Sequence, residues 1–201
     1  MIDLETGGLP DTPSCPHGVV ILSIGACTFN PYGGVTDRET LLQNSFYVNI
    51  NPKSCEDIGL VWDPRTQEWW SSQSDEARTA LNVEQRGVWS AIGDFISWIQ
   101  EREELITGYW ANSPSFDMTI LRRACKRLNR QFPVDFWDEH DVRTIRWLAG
   151  LNDPDTWQPN FLADSVAHNA LDDAISQALL VQYCIQYLGL TRNTGFQGIT
   201  K

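Results

Sequence analysis

The sequence predicts a mixed α/β protein. Its sheet begins with three antiparallel strands, continues with parallel strands joined by helices, and is flanked by helices. Three observations carry this expectation. Residues 1–8 (MIDLETGG) alternate apolar and acidic side chains, the period of a strand with one apolar face. Two more β-rich runs, residues 19–30 (VVILSIGACTFN) and 43–50 (QNSFYVNI), follow across turn-like links, as in an antiparallel meander. From Asp63 onward the pattern turns helical, and a later strand runs straight into a helix, the order that builds parallel pairs.

Length and composition narrow the class. At 201 residues, 42% of them hydrophobic, the chain is expected to form one globular domain over residues 1–190, with a polar tail at 191–201. No apolar run approaches a membrane span, so no membrane partner is expected. The first Lys or Arg is Arg38, which leaves no basic n-region of a signal peptide. Five Cys, an odd number without a C-x-x-C, argue against a disulfide framework and fit a reducing cytoplasm. A net charge of −11 argues against sequence-independent nucleic-acid binding through a broad basic surface. It leaves room for an enzyme that holds phosphates through metals bound to its acids.

Along the chain, residues 7–18 (GGLPDTPSCPHG) read as a loop, in which Cys15 and His17 are too few to make a closed metal site. Asp63-Pro64 reads as the N-cap and first residue of a helix carrying Trp69 and Trp70. Ser74-Asp75-Glu76 starts another. Trp89, Ile92, Phe95, Ile96 and Ile99 recur at helical steps as an apolar stripe. The Trp residues are most simply core, although an exposed ring can stack on a base. Residues 105–110 form a strand that leads through 112–115 into a helix from 116 to about 128. On that helix Arg122, Arg123, Lys126, Arg127 and Arg130 share one broad face, read as solvated or as a guide for a strand. A strand-like piece at 136–137, a helix over about 142–149, a loop at 152–155 and a last helix over about 170–188 complete the chain.

The chemistry-bearing residues are acids. Asp3 and Glu5 point the same way, roughly 6–7 Å apart along the strand. Side-by-side carboxylates repel, and divalent cations are the natural remedy. A plain solvated strand face shows the same alternation. Asp117 falls in the first turn of its helix, just past a strand end, where sites of open α/β sheets lie. The helix dipole would also favour an acid there. His168-Asn169-Ala170-Leu171-Asp172-Asp173 opens the last helix. On a wheel with Leu171 at 0°, Ala174, Ala178, Val181, Ile185 and Leu188 fall between about 260° and 340°. Asp173, at about 200°, borders that core arc, and Asp172, at about 100°, is expected to point to water.

These three stretches, residues 1–8, Ser115-Phe116-Asp117 and 168–174, resemble the three motifs of the DEDDh 3′→5′ exonuclease superfamily, which includes oligoribonuclease, RNase T and the proofreading subunit of bacterial DNA polymerase III. Residues 69–78 (WWSSQSDEAR) look more narrowly like the phage and prophage branch related to RNase AS. The resemblance implies a ribonuclease-H-like fold and a two-metal hydrolysis that releases nucleoside 5′-monophosphates from single-stranded DNA or RNA 3′ ends. It implies that Asp3, Glu5, Asp117 and Asp173 hold two Mg²⁺ or Mn²⁺ ions. His168 would be the general base, with Thr6 and Phe116 as substrate-binding neighbours. Two metals can neutralise a phosphodiester and stabilise attacking and leaving oxygens, and a His titrating near neutrality can accept the water proton. The competing readings are a ribonuclease-H-type endonuclease and a catalytically inactive nucleic-acid-binding protein. Relatives commonly dimerise, which leaves a homodimer open.

Overall fold

The computed structural model describes residues 1–151 and 168–192. In chain order the elements are β1 (Ile2–Thr6), β2 (Ile21–Cys27), α1 (Arg38–Gln43), β3 (Ser45–Asn49), α2 (Pro52–Asp57), α3 (Pro64–Ser71), α4 (Asp75–Ala80) and α5 (Val88–Gln100). Then follow β4 (Tyr109–Ala111), α6 (Pro114–Arg127), a 3-10 turn (Phe136–Asp138), β5 (Glu139–Asp141), α7 (Val142–Leu148) and α8 (Ala170–Tyr187).

The expected meander is present: β2 pairs antiparallel with β1 on one side and β3 on the other. Every residue of β2 is buried, because both faces of the sheet are covered. Alternation sends Ile2 and Leu4 into a core that contains Ile92, Phe95 and Ile99 of α5 and Ile120 and Leu121 of α6. Asp3 and Glu5 take the other face, opposite Gly25 and Ser23 in the register. That face belongs to α8, and Gly25 is what lets it come so close. A Cβ at Gly25 would lie 2.2–2.3 Å from the backbone of Ala170 and Leu171. The start of α8 is thereby pressed against the strands that carry the acids.

The later part of the sheet is smaller than expected. Strand β4 has three residues instead of six, since residues 101–105 continue as a turn beyond α5. It pairs in parallel with β5 and packs beside β1, but the described residues hydrogen-bond as two sheets, of three and two strands. The piece at 136–137 is a 3-10 turn, with the strand following it at Glu139–Asp141. Helix α6 begins two residues early, at Pro114, whose missing N–H suits a first helical turn. Asp63 and Ser74 cap α3 and α4 as expected, accepting from the Arg65 and Ala77 amides. The six-residue helices α1 and α2, capped by Asp37 and Asn51, were not expected. The 152–155 loop and most of the 191–201 tail lie outside the described residues.

The Trp expectation needs correction. Among the described residues only Trp70 is buried, while Trp69, Trp89, Trp137 and Trp147 are exposed. On α5 the stripe runs through Val88, Ala91, Ile92, Phe95 and Ile99. Val88 is four residues before Ile92 and seven before Phe95, on the centre of the stripe, and Trp89 is one step off it. The Trp89 ring instead lies under the Arg130 guanidinium, 4.4 Å from its centroid. All five Cys are buried and free of disulfides, and no described helix is long and apolar enough to cross a membrane.

Candidate active site

Four carboxylates from three elements converge on the α8 face of β1. Strand β1 supplies Asp3 and Glu5, the first turn of α6 supplies Asp117, and the first turn of α8 supplies Asp173. Asp117 is tied directly to the strand: the Leu4 amide donates to its Oδ1 at 3.1 Å. Gln177 of α8 donates its Nε2–H to Asp3 Oδ1 at 2.7 Å. His168 sits in the left-handed region at φ 64°, just before Asn169, whose side chain caps α8 by accepting from the Leu171 and Asp172 amides. This bend resolves the distance of His168 from Asp173 along the chain. Ligand atoms of Glu5, His168 and Asp173 lie within 4.8 Å of one another, the one such group of acids, His or Cys among the described residues. Among the described residues no group of potential metal ligands includes Cys15 or His17; Cys15 is buried and His17 exposed.

The adjacent acids separate as the helix phase predicts in one respect and not in the other. Asp173 faces the strand acids. Asp172 does not point to water: it forms an ion pair with Arg38 and its side chain is only 14% exposed. The unexpected helix α1 supplies that arginine, which no local pattern around Asp172 announces.

Burial dominates the electrostatics. It pushes Asp3 well above its ordinary value, helped by the charges of Asp117, Asp173 and Glu5 and opposed by the Gln177 hydrogen bond. Burial, then the charges of Asp173 and Asp117, raise Glu5 to about 8. Asp117 rises to about 7 through burial, against the pull of its own and the Leu4 amide and of the Arg143 charge. Asp173 rises to about 6, through burial and the neighbouring Asp172, while the hydrogen bond with Glu5 holds it down. These shifts favour a protonated Glu5 at neutral pH, hydrogen-bonded to Asp173. None of the four forms an ion pair with a described Lys or Arg. Gln177 Oε1, at the same place, is buried without a hydrogen-bond partner. Hard carboxylate oxygens, surplus negative charge and an orphaned amide oxygen are a donor set that suits Mg²⁺ or Mn²⁺.

Two cavities meet at Leu4 and Glu5. One, of about 410 Å³, holds Asp3, Glu5 and Asp173 with Asn112, Arg146 and Gln177. The other, of about 440 Å³, is largely apolar, lined by Leu9, Trp69, Trp70 and Phe116, with Thr6, Asp63, Arg65 and Thr66 also on its lining. Both sequence-predicted substrate residues, Thr6 and Phe116, therefore line this second cavity. The Thr6 hydroxyl donates to the Gly8 carbonyl at 2.9 Å, and the Thr6 carbonyl accepts from the Trp70 indole at 2.9 Å. Trp69 meets the His168 ring edge-on, 4.8 Å between centroids. Gln177, Asn112 and the two-tryptophan wall were missed as site residues. Gln177 had a readable signal, since it lies four residues after Asp173 and so on the same helix face. The basic face of α6 is largely engaged: Arg122 pairs with Glu139, Arg123 with Asp11, and Arg130 covers Trp89.

An antiparallel three-stranded sheet, a parallel pair and flanking helices, with acids gathered at the first strand, are features of a ribonuclease-H-like nuclease. Residues 1–185 match the family model described as the 3′-5′ exoribonuclease Rv2179c-like domain, and the chain belongs to that family. It is also similar to an exodeoxyribonuclease of enterobacteria phage T4, 26% identical over 208 residues that cover 93% of this chain and 88% of the relative. The protein is an exonuclease, a phosphodiester hydrolase acting on nucleic acid.

Proposed function

We propose that the protein trims single-stranded nucleic acid from its 3′ end, one nucleoside 5′-monophosphate at a time, by the metal-dependent chemistry of the DEDDh exonucleases. The observation that carries this reading is the convergence of four carboxylates, Glu5 and Asp117 buried and Asp3 and Asp173 half-buried, all with raised pKa values, beside a largely apolar cavity. Such a cluster is costly without cations and becomes favourable with them. Asp3, Glu5, Asp117 and Asp173 would hold two Mg²⁺ or Mn²⁺ ions. When bound, these ions neutralise the phosphodiester and stabilise the attacking and leaving oxygens.

The remaining work falls to this chain's own groups. His168 accepts the proton of the attacking water, its ring oriented by the edge contact with Trp69. The terminal base stacks in the cavity of Trp69, Trp70, Phe116 and Leu9. The wall is apolar and the Thr6 hydroxyl already donates to Gly8, which favours acceptance of both ribose and deoxyribose. Gln177 steadies Asp3, and the Leu4 amide steadies Asp117.

Incubation with Mg²⁺ and matched RNA and DNA strands, each labelled at the 5′ or the 3′ end, tests this. The expected result is a ladder shrinking from the 3′ side with the 5′ label, and immediate labelled mononucleotide with the 3′ label. Internal fragments at early times would point to an endonuclease, and intact strands to an inactive binder.

A further inference from the structure

The cavity that gathers the acids also contains one cation that they do not use. Arg146 of α7 lines it together with Asp3, Glu5, Asn112 and Asp173. It is half-buried, yet among the described residues it forms no ion pair. Arg143, three residues earlier and so on the same side of α7, is exposed, also unpaired among the described residues, and close enough for its charge to act on Asp117. Of the ten other arginines among the described residues, seven are engaged in ion pairs, Arg130 lies over the Trp89 ring, and Arg127 and Arg192 do not line the acidic cavity. In a chain of net charge −11, two arginines left over on one helix beside its most acidic cavity are placed for an anion from outside. A guanidinium presents a planar fork of donors that matches a phosphate in two-point contact.

The two cavities share Leu4 and Glu5 in their linings, so they adjoin and one bound strand can occupy both. With the terminal nucleoside in the apolar cavity, the scissile phosphate falls at the acids, and the next linkage remains within the cavity that the acids share with Arg146. Resting on the 3′-exonuclease reading, we infer that Arg146, assisted by Arg143, holds the phosphate of the linkage adjacent to the scissile one and so guides the strand along α7. Arg146 is a positioning residue: it binds the strand and takes no part in the proton transfers.

The test uses the full chain and two single strands, one with ordinary linkages and one with a neutral methylphosphonate at the second linkage from the 3′ end. Arg146→Gln should raise KM about tenfold on the ordinary strand, the scale of one charged hydrogen bond, with kcat nearly unchanged. The salt slope of binding should fall by about 0.7, the value for one phosphate contact on a single strand. The methylphosphonate should cost the wild type a similar factor and cost Arg146→Gln nothing further. Arg146→Lys should restore part of the loss on the ordinary strand, and Arg143→Gln should show a smaller shift of the same kind. A methylphosphonate penalty of equal size in wild type and Arg146→Gln, or a fall in kcat at constant KM, would overturn the assignment. Failure of the exonuclease reading itself looks different, because the wild type would then leave the 3′ end of the ordinary strand intact.

Discussion

Replacing Glu5 by Gln should make the metal-free protein more stable at neutral pH. The Glu5 carboxyl is raised from 4.5 to about 8, chiefly by burial. At pH 7 the folded state therefore keeps a proton that the unfolded chain has lost. Holding it across about 2.5 units, at about 1.36 kcal/mol each, costs about 3 kcal/mol. Gln removes this cost while keeping the size of the side chain and a donor for Asp173. The four acids share their repulsion, so part of the gain is absorbed by relaxation at Asp173 and Asp117, and the net effect is about 1–3 kcal/mol. The sign follows from linkage. A raised carboxyl carries no penalty below its ordinary value, where both states are protonated; the penalty grows with pH and levels off above about 8. Urea unfolding of chelator-treated protein at pH 4, 7 and 8.5 reads this directly. The variant should match wild type at pH 4 and exceed it increasingly at the higher values. A variant less stable than wild type at pH 7, or a gain of equal size at pH 4 and 8.5, would refute the electrostatic account. Saturating Mg²⁺ should reverse the order, because wild type alone keeps the full ligand set.

Other perturbations probe the frame and the binding wall. Gly25→Ala should cost about 3 kcal/mol or more in urea unfolding, since its Cβ would meet backbone atoms of Ala170 and Leu171 that cannot step aside cheaply. Asp173→Asn should abolish hydrolysis and weaken metal binding. Asp172→Asn should cost less than about tenfold in rate and about 1 kcal/mol in stability, from the orphaned Arg38; calorimetry and steady-state rates separate the two, and the reverse pattern would undo the ligand assignment. Trp69→Ala should raise KM for single strands about tenfold through lost base stacking, measured on strands with a terminal purine.

Much of this architecture was legible locally, because local signals have local causes. The alternation of Ile2, Asp3, Leu4 and Glu5 placed the acids on one face of β1, and Asp63-Pro64 and Ser74 marked helix starts that the caps bear out. The choice of Asp173 over Asp172 as the acid facing the strand rested on helix phase together with the spacing from His168 in the resembling family. What escaped was assembled from distant pieces. Asp172 meets Arg38 because α1 packs near α8, and the apolar cavity joins Leu9, Trp69 and Phe116 from three segments. Neither meeting leaves a trace in the spacing of either partner. Helix α2 is a different kind of miss: Asn51-Pro52 carries the same cap signal as Asp63-Pro64, but six residues have too short an apolar period to register. Strand β4 was overlong because Leu105-Ile106-Thr107 is β-prone, while the amides of Leu105 and Ile106 are held by the Arg102 carbonyl in the turn that ends α5.

The central claim, that divalent ions complete this carboxylate cluster, is tested most directly by titrating Mn²⁺ into metal-free protein at pH 7 by calorimetry in buffers of different ionisation heat. With Glu5 raised to about 8 and Asp117 to about 7, the metal-free cluster is expected to retain protons at that pH, and metal binding should expel them. The account predicts two bound ions with net proton release, fewer ions for Asp3→Asn, and exonuclease activity that follows occupancy. Proton-neutral binding, or full hydrolysis in excess chelator, would contradict it.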